Sequence, residues 1–126
     1  KEGEVFIAPT DVVLSDLDVV QPDLLFIRAA RAAIITEKNI QGPPDFVIEI
    51  ISQTSRKTDA TVKRKLYERY GVLEYWIVDP ELETVDLHRL QDRKYVRAAE
   101  LSLEADHAVE TPLMPGLKLK LSDIFS

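Results

Sequence analysis

The chain has 126 residues, a formal net charge of −6, 45% hydrophobic residues, no cysteine and two histidines. That length and apolar content suit one compact domain with a real core. The lack of cysteine excludes disulfides, thiolate zinc sites and a cysteine nucleophile. No run approaches the apolar length needed to span a bilayer, and Lys1-Glu2-Gly3-Glu4 has neither region of a signal peptide, so no membrane partner is expected and the location read from the sequence is cytoplasmic. His88 and His107 stand apart, which argues against a histidine metal cluster. The acidic balance argues against a broad nucleic-acid-binding surface. It does not exclude a nuclease, because acids that collect a divalent cation are themselves negative. The basic residues also cluster at Arg56, Lys57, Lys63, Arg64, Lys65 and Arg69, a group that reads first as a solvated helix face and as a phosphate contact only if it stands beside a metal site.

In chain order, Val5–Ala8 reads as a short strand, and Asp11–Leu14 as an extended edge segment after Pro9. Gln21–Ile27 is expected to be a second strand, with the residue before Pro22 held extended. Residues 28–42 read as a connection with a short helix and a loop. Asp45–Ser52 is the expected central strand, rich in β-branched residues and covered on both faces. A helix over 57–70 follows, capped by Ser55 or Thr58, with Val62, Leu66 and Tyr70 as a stripe and Gly71 at the stop. Glu74–Pro80 is the next strand, and this strand-helix-strand unit implies a parallel pair. Thr84–Leu90 and Tyr95–Leu101 form an expected antiparallel hairpin at one edge, and Glu110–Leu121 alternates as a half-exposed strand.

Glu49 is the most informative residue, because it lies among Phe46, Val47, Ile48, Ile50 and Ile51. An isolated carboxylate in such surroundings costs several kcal/mol, so it must be solvated, paired or bound to a metal. Asp23 opens another apolar strand, and Asp59, Lys63 and Tyr67 recur every four residues on one face of the expected helix. Metal-dependent phosphodiester cleavage needs hard oxygen ligands, a group that positions water and positive charge near the phosphate. Asp23 and Glu49 would hold Mg²⁺ or Mn²⁺, the Ile50 carbonyl would add a ligand, and Lys63 would assist, with Asp59 and Tyr67 supporting. Each has a bland counterpart: Asp23 as a strand-entry cap, Asp59 and Lys63 as an ordinary helix pair, Tyr67 and Tyr70 as core. Asp45 reads as a turn residue and not as a nuclease acid.

These residues, with Gly71-Val72-Leu73-Glu74-Tyr75-Trp76-Ile77-Val78-Asp79-Pro80 and Met114-Pro115-Gly116-Leu117, resemble the Uma-two putative restriction-endonuclease family over nearly the whole chain. That family belongs to the PD-(D/E)xK nuclease superfamily. The resemblance implies an α/β fold, restriction-endonuclease-like, with a central mixed β-sheet flanked by helices and a C-terminal β-hairpin extension, in one domain over residues 1–126. It implies a Mg²⁺-dependent endonuclease acting on DNA, with the two family acids at Asp23 and Glu49. The superfamily lysine position falls on Ile51, and its role passes to Lys63 on the following helix. The resemblance also implies a preceding N-terminal helical region, often the source of a further acid, which the given sequence does not include. A catalytically inactive nuclease-fold interaction or structural module is the alternative, and a homodimer is a modest preference because both strands must be cut.

Overall fold

A computed structural model describes residues 3–51 and 56–125, and the side chains of these except at positions 56–60. Its strands are β1 (Gly3–Ile7), β2 (Val12–Val13), β3 (Val19–Val20), β4 (Leu24–Arg28), β5 (Ile40–Gln41), β6 (Phe46–Ile50), β7 (Glu74–Asp79), β8 (Thr84–Gln91), β9 (Lys94–Ser102), β10 (Ala108–Val109) and β11 (Leu119–Lys120). The helices are α1 (Arg56–Arg69) and the four-residue α2 (Leu121–Ile124), besides a 3-10 segment at Ala29–Ile34.

β1, β4, β6, β7, β8 and β9 form one six-stranded mixed sheet in that order. Only β6 and β7 pair in parallel, as their connection through α1 requires, and the other neighbours are antiparallel. Alternation along β6 explains its central place. Val47 and Glu49 turn to the face covered by α1, while Phe46 and Ile48 turn to the opposite face. On the α1 face Leu25, Ile27, Val47 and Tyr75 pack with Tyr67 and Val72, and the small β3-β2-β5 sheet adds Val12 and Ile40. On the other face Phe26, Phe46 and Trp76 stack in a row with centroid separations of 5.1 and 4.7 Å, and Val109 and Leu121 cover them. Each such buried side chain removes enough apolar surface to stabilise the fold by about 1.5–3 kcal/mol.

The β8–β9 hairpin extends the sheet at one edge as expected, and its turn places Asp92 and Arg93 at φ 52° and 68°. Gly71 takes φ +78° after α1, the left-handed position that stops a helix. Several boundaries differ from the sequence reading. Of the expected strand over 21–27 only β4, from Leu24, forms, and β3 ends before it at Val20, because Pro22 has no N–H to offer a ladder. The expected strand over 110–121 is absent except for β11. Pro112 and Pro115 interrupt it, Gly116 turns at φ +87°, and Leu113, Met114, Leu117 and Leu119 pack onto the second core. Thus the sheet carries a long helix on one face and an irregular C-terminal wrap with a single short helix on the other. The Ser55 cap lies outside the described residues, and Thr58 lies inside α1, not before it.

Candidate active site

Asp23 immediately precedes β4, where its carbonyl accepts the Ala8 N–H at 2.9 Å. Because β4 runs antiparallel to β6 with Leu24 opposite Ile48, Asp23 falls beside the end of β6. Its Oδ2 accepts the Ile50 N–H at 2.7 Å. A strand residue presents its N–H and C=O to the same edge, so the Ile50 carbonyl belongs to the Asp23 side as well.

Glu49 is buried, 4% exposed. From α1, the Lys63 Nζ lies 3.3 Å from its Oε1, and the Tyr67 hydroxyl donates to its Oε2 at 2.7 Å. The i, i+4 spacing therefore brings two of the three helix residues onto one carboxylate. Asp59 belongs to α1, but its side chain lies outside the described residues. Burial pushes the Glu49 carboxyl above its usual range and the Asp23 charge adds to this; the Tyr67 hydrogen bond and Lys63 oppose it. Burial, then the Glu49 charge, pushes the Tyr67 hydroxyl upward, so it remains a donor. Ile51 carries no charge and donates its N–H to the Val78 carbonyl at 3.0 Å.

Among the described residues three other acids are also buried, Asp45, Glu74 and Asp79, of which the sequence pointed to a structural role only for Asp45. Asp45 is 0% exposed, held by Arg28 at 2.8 Å, Arg31 at 3.2 Å and the Arg28 N–H at 2.7 Å, so it is a buried clasp and not merely a turn residue. Glu74 accepts from Trp76, Arg89 and Thr111 at 3.0, 3.0 and 2.7 Å. Asp79 accepts the N–H groups of Glu81 and Leu82 at 3.0 and 3.1 Å. An acid in an apolar strand therefore does not by itself mark a site, since Glu74 satisfies the same pattern. Asp79 also has carboxylates near it, Asp86 and Glu100. What distinguishes Glu49 is the combination of Lys63 and Tyr67 from α1 with a second carboxylate, Asp23, held at the neighbouring Ile50 N–H. Like charges placed together in a poorly solvated corner are unfavourable unless a cation lies between them.

That donor set fits a hard divalent cation. Mg²⁺ is commonly held by one or two carboxylates and keeps several waters, and an ionised carboxylate with two donors still has free lone pairs. Among the described residues no group of three or more His, Cys, Asp or Glu gathers. Nor is any helix there long and apolar enough to cross a membrane.

No curated protein matches the sequence. Four chains of solved structures match, among them the crystal structure of a "putative nuclease belonging to DUF820" from Anabaena variabilis ATCC 29413. It is 23% identical with a TM-score of 0.76, over 98% of this chain and 68% of that one, which establishes the restriction-endonuclease-like fold. The family model described as "Uma2: Putative restriction endonuclease" matches residues 1–122, and the chain belongs to that family.

Proposed function

We propose that this protein is a Mg²⁺- or Mn²⁺-dependent endonuclease that hydrolyses DNA phosphodiester bonds. The observation that carries this reading is the contact of Lys63 and Tyr67 from α1 with Glu49, while Asp23, just before the neighbouring strand β4, holds the adjacent Ile50 N–H. Family membership and the nuclease-like fold support it.

Asp23, Glu49 and the Ile50 carbonyl hold the metal, which when bound supplies Lewis acidity toward a phosphodiester oxygen. Tyr67 fixes Glu49 by occupying Oε2, leaving its remaining lone pairs for the cation. The Ile50 N–H does the same for Asp23. Lys63 is 35% exposed, so its ammonium reaches solvent while touching Glu49, and it positions the attacking water or balances charge on the phosphate. The long lysine stem allows that charge to come from α1 although Ile51 occupies the strand position.

The test is nicking of supercoiled plasmid with Mg²⁺ by wild type, Asp23→Asn, Glu49→Gln and Lys63→Gln, with folding checked by circular dichroism. Folded variants are expected to lose about a hundredfold or more in rate. Equal cleavage by both acid variants and wild type would overturn the reading. One observation favours a second reading, an inactive interaction module: the described residues include only two acids at the site, with Lys63 already neutralising Glu49. Calorimetry with Mn²⁺ separates the two, since a module of that kind binds no metal through Glu49.

A further inference from the structure

The flank of α1 turned toward the β8–β9 hairpin carries Arg64, Lys65 and Arg69, and the hairpin turn adds Arg93. Among the described residues none of these four has an ion-pair partner. In a chain with 22 acids against 16 lysines and arginines, a cluster of uncompensated cations goes against the overall balance. Lys65, Arg69 and Arg93 line a groove of about 510 Å³ with Glu68, Tyr70 and Leu90. The acid in this groove is already engaged, as Glu68 accepts the Tyr95 N–H at 2.6 Å. Arg64 lines a second concavity, of about 240 Å³, between the same helix and hairpin, where the lining acid, Asp86, lies 3.5 Å from Arg97.

The strip begins next to Lys63, which touches Glu49, and follows α1 for about 9 Å to Arg69. Favourable interaction with the helix dipole accounts for Arg69 in the last turn, but not for Lys65 or Arg93. Arg93 adopts φ 68° at a turn position that asparagine or glycine fills more easily, so its backbone does not explain its presence. Exposed charges spread over this length, with no buried donor among them, suit a ligand with repeated negative charges better than a single small anion. We propose that this strip seats the phosphate backbone of the DNA strand flanking the cut, with Arg64, Lys65, Arg69 and Arg93 as phosphate contacts. The proposal rests on the nuclease reading and assigns the path of its substrate away from Glu49.

The test is binding of a labelled duplex DNA in EDTA, where cleavage does not intervene, across a range of salt. It compares wild type with the triple variant Lys65→Gln, Arg69→Gln, Arg93→Gln. A control with the same charge change, Lys38→Gln, Lys118→Gln, Lys120→Gln, lies elsewhere on the fold. The groove variant is expected to bind about tenfold or more weakly, with a salt slope shallower by about 0.9 for each phosphate left unneutralised, and the control to behave as wild type. Unchanged binding and slope in the groove variant, an equal loss in the control, or no binding by wild type would overturn the proposal. Plasmid cleavage on the same samples separates the two readings. Groove-dependent binding without any cleavage keeps the strip and removes the nuclease, whereas cleavage with groove-independent binding does the reverse.

Discussion

The hydroxyl of Tyr67 donates to Glu49 Oε2 at 2.7 Å, joining the helix after β6 to the acid inside it. Tyr67 is fully buried, so the same side chain is both core and positioning group. Tyr67→Phe keeps the ring packing and removes the donor. A hydrogen bond to a buried charge is worth about 2 kcal/mol, and urea denaturation at neutral pH is expected to show a loss of that order. Glu49 also becomes harder to ionise without that donor, so Mn²⁺ affinity measured by calorimetry should fall. Unchanged affinity would mean that Tyr67 only packs.

Asp23→Asn separates charge from geometry. The amide oxygen still accepts the Ile50 N–H, while the charge that raises the Glu49 pKa is gone. Stability should be unchanged or slightly higher, and metal binding should weaken strongly. A variant that binds Mn²⁺ as tightly as wild type removes Asp23 from the site.

Asp45 stands four residues before Glu49 and has a different task. Asp45→Ala leaves Arg28 and Arg31 without their partner, but both guanidinium groups reach solvent, at 45% and 31% side-chain exposure. The cost is therefore expected at about 3 kcal/mol, at the low end for a broken buried pair. Cleavage per folded molecule should not change. A rate loss beyond the unfolded fraction would place Asp45 in the chemistry.

His88 supplies a pH dependence. It is 7% exposed, packed between Tyr75 and Tyr95 at 6.2 and 6.5 Å, and burial lowers its pKa, with Arg64 and Arg97 acting the same way and Asp86 opposing. A lowered pKa for a base means that the unfolded chain binds the proton first, so stability falls as pH drops below about 6.5. Urea midpoints between neutral and mildly acidic pH should fall in wild type, and fall less in His88→Gln. Parallel curves for the two proteins would show that His88 does not contribute.

The role proposed for Lys63 can be tested by moving its ammonium from the helix to the strand. Ile51 has the same strand parity as Glu49, so Lys63→Gln combined with Ile51→Lys places an ammonium on the same face. If Lys63 acts through its charge, the double variant should recover part of the cleavage missing in Lys63→Gln. No recovery in a folded double variant would assign Lys63 a role that depends on its contact with Glu49.

Local pattern carries far in this chain. The β-branched run over Phe46–Ile50, the stripe of α1 and the stop at Gly71 depend on residues close in sequence, so these elements and the parallel β6–β7 pair are legible from the residues alone. The meeting of Lys63 and Tyr67 at Glu49 also follows from helical spacing once α1 packs on the sheet. Tertiary structure alone decided the rest. Glu49 and Glu74 look alike along the chain, and only the cross-strand register shows that one lies beside Asp23 while the other is held by Trp76, Arg89 and the distant Thr111. The C-terminal Leu–Lys alternation points to a strand, yet Pro112 and Pro115 break the segment before it and the aromatic row of the sheet recruits its leucines as a cover. Partners separated by dozens of residues leave no local period to read, and the contact that satisfies a buried charge is fixed only when the sheet closes.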